Sequence, residues 1–113
     1  MSEEKERLPI GEGMFIKSVV LSGVTYTHFK LREATLDDML DVELEIAQTG
    51  RGTHTPIAFN GEMMMRQMVK VYNQDGGEFA GPFTMNMLKK FGPRNYSAIR
   101  AKQVEIDLLG EGI

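Results

Sequence analysis

Apolar positions follow two rhythms along this chain, and the change from one to the other predicts where sheet gives way to helix. From Phe15 to Leu21 the residues are rich in β-formers, Ser22-Gly23 interrupts, and Val24-Thr25-Tyr26-Thr27-His28-Phe29-Lys30-Leu31 resumes the run. Two such runs around a Ser-Gly pair predict a β-hairpin, because a two-residue turn needs positive φ and glycine adopts it without steric cost. The apolar parity switches between Val24/Tyr26 and Phe29/Leu31, which implies either a bulge near Thr27 or two partly covered faces. A two-stranded hairpin is marginal alone, so it must pack on helices or pair with another copy.

The rhythm lengthens at Thr35. Its hydroxyl suits an N-cap, Asp38 stands at capping-box spacing, and Asp37 is favoured by the positive end of the helix dipole. On a wheel of about 3.6 residues per turn, Leu36, Met39, Leu40, Val42, Leu44, Ile46 and Ala47 fill an arc of roughly 200°. Asp37, Asp38, Asp41, Glu45 and Gln48 fill the remainder, and only Glu43 falls inside the apolar arc. Gly50 closes this helix, and Arg51 to Pro56 make a loop. A second helix is expected from Asn60 to Asn73, ended by Asp75-Gly76-Gly77, with Met64, Met65, Met68, Val69, Val71 and Tyr72 on one face. A glycine-bearing linker from Gly76 to Pro82 leads to a short helix, Met85 to Phe91, capped by Thr84 and stopped by Gly92-Pro93. The last helix is expected over Asn95 to Leu108, with Tyr96, Ile99, Gln103 and Ile106 aligned.

Together these elements predict a single small α+β domain over residues 14–109: an N-terminal β-hairpin followed by three or four helices. Residues 1–13 read as a mobile arm, since Leu8 and Ile10 offer little to bury, and residues 110–113 read as a loose tail. At 113 residues a second domain is excluded. Absence of cysteine excludes a disulfide framework, a thiol nucleophile and thiolate metal sites, and it fits a reducing compartment. No apolar run approaches the roughly 18 residues needed to span a bilayer. The charged Met1-to-Arg7 stretch leads into no apolar core of a signal peptide, so the chain is expected to remain where it is made.

Candidate chemistry is sparse. His28 lies within a strand and His54 in a glycine-rich loop, without the carboxylate spacing of a metal site. Gly50-Arg51-Gly52 follows a helix and lacks the lysine and hydroxyl of a phosphate loop. Asp37, Asp38 and Asp41 could be imagined around magnesium, but acids in a first helical turn are ordinary dipole partners. No catalytic residue, cofactor or metal is therefore expected, and the chain is not expected to be an enzyme. Charge is segregated: Glu33 to Gln48 is acidic without a base, whereas Lys89, Lys90, Arg94, Arg100 and Lys102 lie in a segment without an acid. The first and last helices therefore attract one another or divide the surface into two signs. The basic segment, with Phe91 and Tyr96, has the composition of a nucleic-acid contact, yet a net charge of −3 and the absence of a nucleic-acid motif favour a solvated face. Nine methionines are unusual. Met64, Met65, Met68, Val69 and Tyr72 form the candidate partner-binding face, because thioethers re-pack against varied apolar segments; core filling explains the same residues equally well.

The stretch from Phe15 to Ala47 resembles the small tail assembly chaperones of contractile-tailed, Mu-like phages. Their pattern is a β segment, then "LRxPT", then "xxDLLDAE". This chain has Leu31-Arg32-Glu33-Ala34-Thr35 followed by Leu36-Asp37-Asp38-Met39-Leu40-Asp41-Val42-Glu43. Ala34 stands where proline is common and Val42 where alanine is, and Asn95-Tyr96 stands where the family opens its last helix with "DY". The resemblance implies a phage or prophage chaperone that binds the tape measure protein and keeps it soluble during tail assembly. It also implies residence in the host cytoplasm and absence from the mature virion. A homo-oligomer contacting through hairpin edges is expected, with no membrane or nucleic-acid partner. Rival readings are a small nucleic-acid-binding regulator using the basic C-terminal helix, and a structural tail or baseplate subunit.

Overall fold

A computed structural model of the chain describes residues 10–48 and 56–111, with side chains through Asp107. The elements in chain order are β1 (Ile10–Leu21), β2 (Val24–Arg32), α1 (Leu36–Gln48), α2 (Pro56–Gln67), β3 (Met68–Tyr72), β4 (Glu78–Phe79), α3 (Met85–Phe91) and α4 (Pro93–Glu111). The fold is α+β, as the sequence predicts, but the sheet has four antiparallel strands in the order β1-β2-β3-β4.

The hairpin turns at Ser22 (φ 51°) and Gly23 (φ 80°), the pair of positive φ angles that a two-residue connection demands. Its parity switch resolves as a bulge. Met14 pairs with His28 and Val19 with Tyr26, so Phe15 to Ser18 stand opposite Thr27. The slip brings Phe15, Val19, Tyr26 and Phe29 into one core despite their conflicting parity.

Two expected boundaries are corrected, one toward each end of the chain. Ile10 to Gly13, assigned to a mobile arm, instead pair with Phe29 to Arg32; residues 1–9 lie outside the described residues. Glycine makes this pairing fit, since a Cβ on Gly13 would lie 2.5 Å from Cζ of Phe29 and one on Gly11 2.7 Å from Cδ of Lys102. At the other end Gly110 and Glu111 continue α4, where a loose tail was expected.

The second helix is also corrected. It covers Pro56–Gln67, and Met68–Tyr72 leave it as β3, with Lys70, Val71 and Tyr72 opposite Lys30, Phe29 and His28. Val69-Lys70-Val71-Tyr72 carries two β-branched residues in alternation, which fits a pleated surface better than a helical turn. Asp75-Gly76-Gly77 ends no helix; it turns β3 into β4. Asn73 organises this turn: its Oδ1 accepts from the backbone N–H of Asp75 (3.0 Å) and of Gly77 (2.8 Å), and its Nδ2 donates to the Thr25 carbonyl (2.9 Å).

The core lies between one face of this sheet and the helices α2, α3 and α4. Phe15 packs on Phe29 and Phe91 with ring centroids 5.2 and 5.5 Å apart, and Ile99 and Ile106 of α4 are fully buried beside them. A buried amide relay crosses the layer. Gln103 Nε2 donates to Gln67 Oε1 (2.8 Å), and Gln67 Nε2 donates to the Arg32 carbonyl (2.9 Å), so α4, α2 and β2 share one chain of hydrogen bonds. At the β1 bulge, Asn95 accepts from the Lys17 N–H (3.1 Å) and donates to the Lys17 carbonyl (2.7 Å). The ends of α3 match expectation: Thr84 Oγ1 accepts from the Met87 N–H (3.3 Å), and Gly92 stops α3 with φ 87°. The start of α4 is corrected from Asn95 to Pro93, since proline suits a first helical turn, where its missing N–H costs no hydrogen bond.

Candidate protein-binding surface

Helix α1 is held to the body of the protein along one narrow side. Thr35 and Asp38 form the capping box that their spacing predicts: Asp38 N–H donates to Thr35 Oγ1 (3.1 Å) and Thr35 N–H donates to Asp38 Oδ2 (2.9 Å). The same carboxylate receives Arg32 through both guanidinium arms, at 2.7 and 3.0 Å, and Arg32 also donates to the Arg66 carbonyl (2.9 Å). Burial works against a charge on Asp38. The Arg32 guanidinium and the Thr35 N–H outweigh it and hold the carboxyl below the usual aspartate range. Further along, Val42 is fully buried, Ile46 half-buried, and Arg66 pairs with Glu45 at 2.9 Å.

Anchoring through Asp38, Val42 and Ile46 turns the rest of the apolar arc to solvent. Leu36 is 69% exposed, Met39 43%, Leu40 55% and Leu44 58%. Leu36, Leu40 and Leu44 follow a spacing of four and form one ridge on the helix surface. Glu43 interrupts the stripe, and Asp37 and Asp41 border it. Single exposed leucines are ordinary, but a contiguous ridge of large apolar side chains on one helix is a candidate interaction surface.

The methionine face has a different fate. Met64, Met65 and Met68 are buried in the core. Val69 is half-buried, and Tyr72 lies on the sheet face opposite the core, its ring stacked on His28 at 5.2 Å with 21° between planes. Burial, followed by the nearby Glu12 carboxylate, pushes the Tyr72 phenol up. These five residues do not converge on one surface, so Met64, Met65 and Met68 act as core filling in this conformation.

The remaining candidates are also separated. Asp38 points to Arg32, Asp41 stands 3.8 Å from Arg66, and Asp37 is exposed, so the three acids of α1 do not enclose a common point. Among the described residues no group of three His, Asp or Glu side chains is arranged to hold a metal ion, and no helix is long and apolar enough to cross a membrane. His54 and Gly50-Arg51-Gly52 lie outside the described residues. Charge segregation resolves as a divided surface. Asp38, Asp41 and Glu45 of α1 pair with Arg32 and Arg66, whereas Asp37 and Glu43, and Lys89, Lys90 and Arg94, form no ion pair among the described residues.

Comparison of the chain with protein-family models, curated proteins and solved structures finds no match. The leucine ridge of α1 is the feature that sequence reasoning passed over. Its signal is the width of the arc, because about 200° is more than one packing contact covers, whereas a core-facing stripe needs little more than about 100°.

Proposed function

We propose that this protein is a protein-binding chaperone of phage or prophage tail assembly, which holds apolar helical segments of the tape measure protein against the exposed face of α1. The observation that carries this reading is the ridge of Leu36, Leu40 and Leu44 with Met39 beside it, exposed on a helix that is otherwise firmly anchored. A client helix with apolar residues at matching spacing packs along such a ridge, and each leucine that it buries contributes on the order of 1.5–3 kcal/mol before the costs of association. The same helix carries the Leu36-to-Glu43 part of the resemblance to tail chaperones. Holding a client helix against an apolar ridge needs shape and burial and no catalytic group.

Co-expression with the tape measure protein tests the reading. Leu40→Lys/Leu44→Lys changes two exposed positions, so circular dichroism and thermal melting should match the parent while the amount of soluble, co-purifying client falls several-fold. Met14→Lys, on the open face of the sheet, is the matched control and should keep client soluble. Full solubilisation by the folded α1 variant would refute the assignment.

A further inference from the structure

Two surfaces of this chain are unsatisfied in complementary ways. One is the α1 ridge, apolar and acidic, with Asp37 and Glu43, which form no ion pair among the described residues, around its leucines, and Asp41 only loosely paired with Arg66 at 3.8 Å. The other is the corner where α3 meets α4. There Ile57, Met85, Leu88 and Tyr96 line an open trough of about 470 Å³ with Lys89 on its rim. Across Gly92 and Pro93, which border both, a second depression of about 740 Å³ combines Ile16 and Val20 with Lys17, Lys90 and Arg94. No acidic residue lines either one. Ile57 is 71% exposed and Ile16 65%, so the corner pairs uncovered apolar surface with uncompensated positive charge.

We propose that α1 of one copy docks on the α3–α4 corner of a second copy, with its leucines over the trough and its acids toward Lys89, Lys90 and Arg94. The contact does not rest on the chaperone reading, since it involves this chain alone. Within one copy the two surfaces do not satisfy one another: the leucines remain exposed and the three cations have no acidic partner among the described residues. Opposite charge brings the surfaces together and sets their register, and apolar burial supplies the affinity. Pairing along β1 is the competing mode, and the bulge at Phe15 to Ser18 works against it, because a bulge breaks the regular template that an incoming strand needs. A contact between two different patches is heterologous, and that property makes it testable.

Light scattering across a wide range of protein and salt concentration should show the parent assembling with concentration and dispersing with salt. Lys89→Glu/Arg94→Glu alters only the corner, and Leu40→Lys/Leu44→Lys alters only the ridge. All four positions are exposed, so both variants should melt like the parent; if either unfolds, the glutamine versions of the same pairs replace it. Each variant alone should have the mass of a monomer at a concentration where the parent is assembled. Mixed in equal amounts, the first still offers a ridge and the second still offers a corner, so the mass should double and grow no further. A parent that is monomeric throughout, either variant assembling like the parent, or a mixture that stays monomeric would each overturn the proposal. A monomeric parent that shifts duplex DNA in a salt-sensitive way, lost in Lys89→Glu/Arg94→Glu, would assign the corner to nucleic acid instead.

Discussion

Asp38 does three jobs with one carboxylate: it caps its own helix, fixes the β2–α1 corner through Arg32, and thereby orients the exposed ridge. Asp38→Asn keeps the shape but loses the charge, and should cost about 2 kcal/mol, the range for a hydrogen bond to a charged partner. The fold lowers the carboxyl's pKa, so its contribution is present in full above the unfolded value of about 4 and is lost as pH falls through the folded value. Thermal melting of parent and Asp38→Asn should therefore differ at neutral pH and converge in acid; a constant difference across that range would contradict the assignment. The capping box was legible in the sequence because its two residues are three apart. Arg32 as the third member was not, since its reach to Asp38 depends on how the strand leaves the sheet.

For elements, the informative contrast is between α1 and the segment from Met64 to Tyr72. Both present apolar residues at helical spacing, yet one exposes them and the other buries them. Leu40→Gln should change stability by less than about 0.5 kcal/mol, as exposed positions usually do, whereas Val42→Asp should unfold the domain by burying an unpaired charge. Equal effects on the melting temperature would mean that α1 sits differently. Sequence periodicity located both stretches but could not assign their partners. Exposure is a relation between elements, and α1 is fixed by Arg32 on β2 and Arg66 on α2, partners in other elements that helical periodicity does not encode. The turn from α2 into β3 was half visible, because Val69-Lys70-Val71-Tyr72 alternates while the methionines before it suit either state.

Across the whole molecule, stability concentrates where the sheet meets α4. Hydrogen exchange should be slowest at Phe29 to Leu31, at Val71 and from Ile99 to Ile106, which sit in ladders or helix backed by fully buried side chains. The short β4 and the exposed side of α1 should exchange faster. Slow exchange confined to the helices would show the sheet to be an appendage. The α+β class and the single domain followed from counting periods and turns, and the cap and stop of α3 followed from Thr84 and Gly92. Four strands did not follow, because β4 is two residues long and acquires strand character only by lying beside β3.

The amide of Asn95 presents one donor and one acceptor to the backbone of Lys17, the same pair of bonds that a neighbouring peptide would make. In effect a single side chain impersonates a strand, occupying the place at which a foreign one could begin to zip. Asn95→Ala should therefore do more than lower stability by about 2 kcal/mol. It should also make the protein form thioflavin-positive fibrils on mild heating faster than the parent does, and fibril formation no faster than that of a variant equally destabilised in the core would show that the impersonation protects nothing.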